Sequence, residues 1–348
     1  MAQKSTDKED KKKKKTYKTL RGFRDILPES APYWDAVEDA ARKMANDYSF
    51  DRIRLPYLEA TQLFERSVGK ATDIVEKEMF TFVDPSNTRV TLRPEATAQI
   101  ARAYIEHGML NKPQPVKLWY FGPMFRHDRP QAGRYRQFWQ FGLEALGSSE
   151  AIIDAQIIIM MYKLLQELGL KTIVKINSIG TPESRREYTM ELVSYFKQFR
   201  KKLSDIDKKR LTKNPLRLLD SKDSAVQELK ADAPQIVDWL DEESKQDFMK
   251  VLEYLDESEV HYELDPFLVR GLDYYSKTVF EIIPIIDDEE ERAQNAIGGG
   301  GRYDGLIKML GAREDVPAMG AALGVERVIL AMKAQGIELQ TNKVVDVF

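Results

Sequence analysis

The feature that most limits the fold is a long stretch of helix, free of glycine, set between two strand-rich regions. From Pro182 to Glu259 the sequence holds no glycine and reads as charge-rich helix, in segments Glu183–Lys201, Ser224–Leu240 and Ser244–Leu255. Before it, short apolar runs predict strands at Phe80–Val83, Thr88–Leu92, Val116–Phe121, Gln137–Leu143 and Lys171–Ile176. After it, strand character returns at Phe267–Arg270, Thr278–Ile286 and Ala293–Gly298. Strands that resume beyond a helical block imply one α+β sheet domain, split in sequence by an inserted helical domain. Helices are expected in the sheet-forming halves as well. Ser30 is placed to cap one that carries Trp34, Val37, Ala41, Met44 and Tyr48 at helical spacing. Others are Gln62–Val68, Thr97–Glu106, Glu150–Leu168 with Gly169 closing it, and Gly324–Gln335. Asp84-Pro85-Ser86-Asn87 joins two of the strands as a hairpin.

Composition removes several kinds of chemistry. There is no cysteine among the 348 residues, so disulfides, thiolate nucleophiles and cysteine-ligated zinc are excluded together. His107, His127 and His261 are too scattered to suggest a metal site. No apolar run reaches the roughly 20 residues of a membrane helix, and no apolar stretch follows the charged N-terminus as a secretory signal requires. A net charge of −3 gives no global attraction to nucleic acid, so any such binding rests on local patches. Residues 1–16, with the run Lys11–Lys15, read as a disordered basic tail. The P-loop, G-x-G-x-x-G and G-x-S-x-G patterns are all missing.

Four segments carry chemistry. Arg126, Arg129, Arg134 and Arg136 fall within eleven residues around Pro130 and Gly133; clustered guanidinium forks suit a polyanion such as a triphosphate or a nucleic-acid end. In the strand that follows, Trp139, Phe141 and Leu143 share one face, expected to be core. Phe138, Gln140, Gly142 and Glu144 share the other: a ring, an amide, a gap and a carboxylate, a suitable floor for an aromatic, amine-bearing ligand. Leu268–Tyr275 places Arg270 beside Tyr274 and Tyr275, which by composition alone reads as an ion pair under an aromatic lid. Gly298–Gly301 is either a flexible turn or a backbone that lets a ligand approach closely. Ala321–Arg327 runs small residues into a helix bearing Arg327, where a surface Glu–Arg pair is the ordinary explanation.

Together these segments resemble the histidyl-tRNA synthetase family, a class II aminoacyl-tRNA synthetase family, from about Tyr17 to Phe348. Arg21-Gly22-Phe23-Arg24-Asp25 resembles the family's N-terminal signature, the segment ending at Pro56 its motif 1, Phe125–Glu144 its motif 2 and Gly320–Arg327 its motif 3. Leu268–Tyr275 and Gly298–Asp304 resemble the two segments particular to the histidine enzyme, and Asn214–Lys222 its helical insertion. The resemblance implies an antiparallel class II sheet flanked by helices. It divides the chain into a catalytic domain at 17–181 and 261–336, the insertion at 182–260, and a linker at 337–348.

The implied activity is ATP-dependent formation of histidyl-adenylate and transfer of histidine to the 3′ end of histidine tRNA, in the cytoplasm and without membrane association. Arg126 would hold the α-phosphate, Arg134 and Arg327 the outer phosphates, and Phe138 with Arg327 would sandwich the adenine, whose amino group Asp128 would meet. Glu95, Thr97 and Gln140 would bind the α-ammonium of histidine. Glu144 and Tyr275 would hold the imidazole nitrogens, with Tyr274 and Tyr303 completing the histidine site. Arg270 would bridge the carboxylate and α-phosphate, making Arg270 and Arg126 the catalytic pair. Arg129, Gln131 and Arg136 would meet the acceptor end of the tRNA. Magnesium is expected to arrive with ATP, with no dedicated protein metal site. A homodimer is expected through motif 1 and the Val37, Ala41, Met44 and Tyr48 face.

The sequence departs from the family pattern in places. Asp128 stands where glutamate is usual, Trp139 where histidine is frequent, and Ala96 where glycine is. The family continues from a segment like Val344–Phe348 into an α/β anticodon-binding domain of roughly a hundred residues; here the sequence ends at that segment, and truncation is the expected reading. The rival reading is the regulatory subunit of ATP phosphoribosyltransferase, a non-synthetase relative without that domain. Retention of Arg126, Arg270, Glu95 and Glu144 favours the synthetase. A ligase acting on a protein or metabolite is the third reading.

Overall fold

Thr181, Ser204, Asp223 and Asp241 each accept a backbone N–H at the start of the helix they precede, whereas the hydroxyl of Ser30, the expected cap of the first helix, donates to the Leu27 carbonyl instead. The computed structural model describes residues 17–69, 72, 74–286 and 296–339; the expectations for residues 1–16, for part of Ala293–Gly298 and for Val344–Phe348 lie outside them. In chain order the elements are α1 (Ala31–Asp47), β1 (Asp51–Arg52), β2 (Leu58–Ala60), α2 (Thr61–Ser67), β3 (Phe80–Val83), β4 (Arg89–Leu92), α3 (Thr97–Glu106), β5 (Val116–Phe125) and β6 (Gln137–Leu146). There follow α4 (Ala151–Glu167), β7 (Thr172–Ser178), α5 (Pro182–Gln198), α6 (Asp205–Lys213), α7 (Ser224–Lys230) and α8 (Glu242–Glu257). The last are β8 (Tyr262–Leu264), β9 (Ser276–Pro284), β10 (Gly298–Arg302), α9 (Leu306–Met309), β11 (Ala318–Gly324) and α10 (Val325–Ala334).

Eight strands form one sheet in the order β1-β5-β6-β11-β10-β9-β7-β8, so strands from both sides of the helical block join as expected. Pairing is antiparallel apart from β1 with β5 and β7 with β8 at the two edges. Gly298–Gly301 is strand β10, hydrogen-bonded on both sides, rather than a turn. A separate three-stranded sheet, β2-β4-β3, carries the hairpin.

One face of the large sheet is sealed by α1, α4 and α10. Alternation decides which strand residues point there: Phe141 and Leu143 of β6, Val174 and Ile176 of β7, and Phe280 and Ile282 of β9. Helix α4 is apolar nearly all round, as suits a helix covered on more than one side. Arg302 leaves the end of β10 to pair with Asp154 at the start of α4 and donates to the Ser148 carbonyl at 2.9 Å. Both groups are buried, so either alone would be costly.

Four expectations need correction. Phe267–Arg270, expected as a strand, forms no strand and belongs to a turn-and-coil segment between β8 and β9. The α1 face assigned to a partner subunit is filled from within: Val37, Ala41 and Met44 belong to the core, and Tyr48 packs against it. An amphipathic stripe reports that something apolar covers it, and here α4 and α10 do so. Ser224–Leu240 is not one helix. Helix α7 stops at Lys230, and a single 3₁₀ turn, Ile236–Trp239, follows Pro234, whose ring and missing N–H break the α-helical ladder. Helix α6 was not anticipated, although Ser204 caps it by accepting the Asp207 N–H at 3.2 Å. Within 182–260, α8 buries Phe248, Val251 and Leu255 in the main core. Leu192, Phe196, Leu211 and Val226 of α5 to α7 instead join the cluster on the other side of the sheet.

Candidate active site

The open face of the sheet holds a cavity of about 490 Å³, roofed by the 268–275 segment and the 126–136 loop. Its wall includes Glu95, Thr97, Arg126, Asp128, Arg134 and Phe138, and also Gln140, Arg270, Tyr274, Tyr275, Tyr303 and Arg327. Glu144 sits just behind them. Residues spread over more than 230 positions of sequence thus converge on one space.

The inner end is a buried carboxylate among hydroxyls. Glu144 on β6 is 1% exposed. Its Oε1 accepts from Thr97 Oγ1 at 2.7 Å and its Oε2 from the Tyr303 hydroxyl at 2.5 Å. Gly320 of β11 lies directly opposite, and a Cβ there would fall 1.7 Å from Glu144 Oε2, so only glycine leaves room for the carboxylate. Burial pushes Glu144 up to about 8; the two hydroxyl donors pull it down and the nearby Glu95 adds to the rise. Glu95 is also held above the usual carboxylate range by burial, opposed by the Ala98 N–H at 3.0 Å and by Arg126. The Tyr274 ring is tilted against Tyr275 at 4.7 Å and meets Tyr303 edge-on at 5.7 Å, and burial raises all three phenols. The gap expected at Gly142 does not exist: Tyr120 of β5 fills it, lying 2.2 Å from where a Cβ would stand. Tyrosine, rather than empty space, forms that part of the floor.

The outer end gathers cations. Arg126 donates from Nε to the Pro94 carbonyl at 2.9 Å, and its guanidinium lies 5.2 Å from the Phe138 ring. Arg327 is tied to the Ala296 carbonyl at 2.5 Å and to that of Gly133 at 3.3 Å. Arg134 lies 3.4 Å from Asp128. Burial lowers the Arg327 pKa, and the neighbouring Arg134 and Arg126 lower it further against the opposing Glu281 and Asp128, so a bound polyanion would relieve the repulsion that remains. Arg270 is ion-paired with Glu281 on β9 beneath Tyr275, and its Nε is buried without a hydrogen-bond partner. Arg270 and Tyr275 lie across Gly299 and Gly301 of β10.

The predicted tRNA-facing residues divide. Arg129 and Gln131 are exposed on the loop, whereas Arg136 folds back, with Nε toward the Asp128 carbonyl at 3.4 Å and Nη1 toward that of Arg21 at 3.5 Å. Sequence reasoning missed Glu281, Tyr120 and Arg217, all of which line the cavity. A lone carboxylate in the otherwise apolar run Val279–Ile283 was the available signal for Glu281. The arrangement joins a polyanion site to a buried acceptor for a small N–H donor, with Arg270 available to a negative group between them.

Comparison with known proteins places the chain among relatives. Residues 22–183 and 185–328 match the family model described as histidyl-tRNA synthetase. A histidine–tRNA ligase from Halorhodospira halophila is 48% identical over 323 residues, 92% of this chain and 75% of the relative. The structure of apo histidyl-tRNA synthetase from S. aureus aligns with a TM-score of 0.77 at 39% identity, covering 95% of this chain and 77% of that one. A Bacillus halodurans protein described as an ATP phosphoribosyltransferase regulatory subunit/histidyl-tRNA synthetase aligns with a TM-score of 0.67 at 24% identity, over 92% and 84% of the two chains, a likeness of fold alone.

Proposed function

The chain belongs to the histidyl-tRNA synthetase family, and from that premise we propose that the cavity on its sheet face activates histidine with ATP and passes it to tRNA. Its activity is histidine–tRNA ligation, and the family uses ATP. The observation that carries the assignment of residues is the meeting, in one cavity, of the Arg126, Arg134 and Arg327 cluster with the buried Glu144 and its tyrosines.

In this reading the triphosphate lies among the three arginines, and the adenine stacks between Phe138 and Arg327, with Asp128 at its amino group. Magnesium arrives on the phosphates. Glu95, Thr97 and Gln140 take the α-ammonium. Glu144 accepts an imidazole N–H, supported by Tyr303, and Tyr274 and Tyr275 close over the ring. The amino-acid carboxylate attacks the α-phosphorus in line, the bond to pyrophosphate breaks, and Arg126 and Arg270 neutralise the charge that develops. For Arg270 this means exchanging or sharing its Glu281 partner with substrate. The 3′ hydroxyl of tRNA then attacks the carbonyl carbon and AMP leaves. Positioning and charge neutralisation suffice, with no covalent enzyme intermediate.

Arg129 and Gln131 are assigned to the acceptor end, with Arg136 supporting them from the base of the loop. The insertion is taken as 182–260, set into a catalytic domain of 17–181 and 261–336. No described helix is long and apolar enough to cross a membrane, and we place the reaction in the cytoplasm. For assembly, the exposed apolar residues Tyr57, Leu58, Phe82 and Val83 at the small sheet replace the buried α1 face as the surface for a twofold partner. Light scattering should give about twice the 40.1 kDa chain mass, and Leu58→Lys with Val83→Lys should halve it. Histidine-dependent exchange of labelled pyrophosphate into ATP tests the chemistry, and its absence would favour the regulatory-subunit reading.

A further inference from the structure

The N-terminal segment Arg21–Asp25 makes no hydrogen bond or ion pair with the groups assigned to histidine or ATP, yet it grips both stems of the 126–136 loop. At the descending stem, the Arg136 backbone N–H donates to the Gly22 carbonyl at 2.8 Å, and Arg136 in turn accepts from the Arg126 N–H at 2.9 Å. Gly22 makes this approach in the left-handed region, φ +87°, and a Cβ there would stand 2.7 Å from the Arg136 side chain. The Arg24 guanidinium lies 4.1 Å from the Tyr135 ring centre, donates to the Tyr135 hydroxyl at 3.2 Å, and sits 3.9 Å from Glu326 Oε1. The buried Glu326 accepts the Trp139 N–H at 2.9 Å with its other oxygen. Arg24 therefore connects three neighbours of proposed ATP ligands: Tyr135 follows Arg134, Trp139 follows Phe138, and Glu326 precedes Arg327.

At the ascending stem the grip is aromatic. Phe23 meets Phe80 edge-on at 6.1 Å, and Phe80 meets His127 at 5.4 Å, while the His127 N–H donates to the Glu78 carbonyl at 2.7 Å. A glycine-containing loop that bears several mutually repelling arginines has no reason to hold one shape by itself. External contacts at both stems supply that reason.

We propose that Arg21–Asp25 is a clamp that holds the 126–136 loop in its ATP-binding shape, and that Arg24 is its principal positioning residue. The proposal rests on the reading that this loop binds ATP. It makes the effect specific: weakening the clamp costs ATP binding, because Arg134, Phe138 and Arg327 lose their alignment. The histidine end, built on Glu144 of β6, Thr97 of α3 and Tyr274, Tyr275 and Tyr303, is untouched.

The test is pyrophosphate exchange by the wild type, Arg24→Ala and Arg24→Lys, with tryptic cleavage after Arg134 followed in parallel. Loss of a cation–π contact and a hydrogen bond should raise the ATP KM of Arg24→Ala about tenfold, leave the histidine KM within twofold, and speed cleavage at Arg134. Arg24→Lys, which keeps a cation over Tyr135 and beside Glu326, should recover most of the ATP affinity. Gly22→Ala should reproduce the Arg24→Ala phenotype from the other side of the clamp. An unchanged ATP KM in Arg24→Ala, or equal rises in both KM values, would overturn the clamp. A wild type without histidine-dependent exchange would instead remove the ATP reading beneath it.

Discussion

Replacing Glu144 with glutamine keeps the shape of a side chain that is 1% exposed and removes its charge, so function and stability should move in opposite directions. On the functional side, assayed above pH 8 where Glu144 is ionised, an imidazole N–H loses a charged acceptor and meets an amide. Hydrogen bonds to charged groups are worth about 1.5–3 kcal/mol, which corresponds to a rise in the histidine KM of roughly 10–150-fold. The ATP KM should stay within about twofold, since the arginine cluster is untouched. On the stability side, the folded chain keeps a proton on Glu144 up to about pH 8, whereas the ordinary value is 4.5. The unfolded chain releases that proton first, so wild-type stability falls as pH rises between those values, by about 1.4 kcal/mol per pH unit. The cumulative loss is on the order of 3 kcal/mol by pH 7. Glutamine has no proton to keep, so Glu144→Gln should match the wild type near pH 5 and gain on it steadily toward pH 8. Pyrophosphate exchange with each substrate varied, and urea midpoints at pH 5, 6, 7 and 8, measure the two sides. Parallel pH profiles for the two proteins, or equal weakening of histidine and ATP, would refute the argument.

Two further substitutions probe neighbouring parts of the cavity. Arg270→Ala should lower the rate of adenylate formation by about 10²–10³-fold, the usual cost of one charge-stabilising donor, with a smaller change in ATP KM; single-turnover kinetics reads this directly. Gly320→Ala puts a methyl where Glu144 Oε2 lies, so it should abolish histidine binding by calorimetry while nucleotide binding persists.

Much of this site was legible because strands alternate. Reading β6 as two faces separated Phe141 and Leu143, which became core, from Phe138 and Gln140, which line the cavity, and Glu144, buried just behind its wall. The bounds of α3 followed from its apolar spacing. What escaped was what each face meets. The stripe on α1 announced a covered surface, but α4 and α10 cover it rather than a second chain. Gly142 announced a missing side chain, and a cross-strand tyrosine occupies the space. Glu281 carried one charge in an apolar strand, yet its partner Arg270 lies on a separate segment whose approach depends on the 268–275 turn. Periodicity is local and is written in the sequence, whereas the identity of the covering group is set by tertiary packing. The break at Pro234 was local and could have been read.

The central claim is that histidine and ATP occupy adjoining halves of one cavity, bridged by Arg270. Calorimetric binding of a non-hydrolysable histidyl-adenylate analogue, beside its alanyl counterpart, tests this most directly. One molecule that fills both halves should bind at least about a hundredfold more tightly than histidine or ATP alone. The alanyl analogue should lose most of that gain, because Glu144 and the tyrosines have no imidazole to meet. Equal affinity for the two analogues, or an affinity no better than that of ATP, would contradict the account.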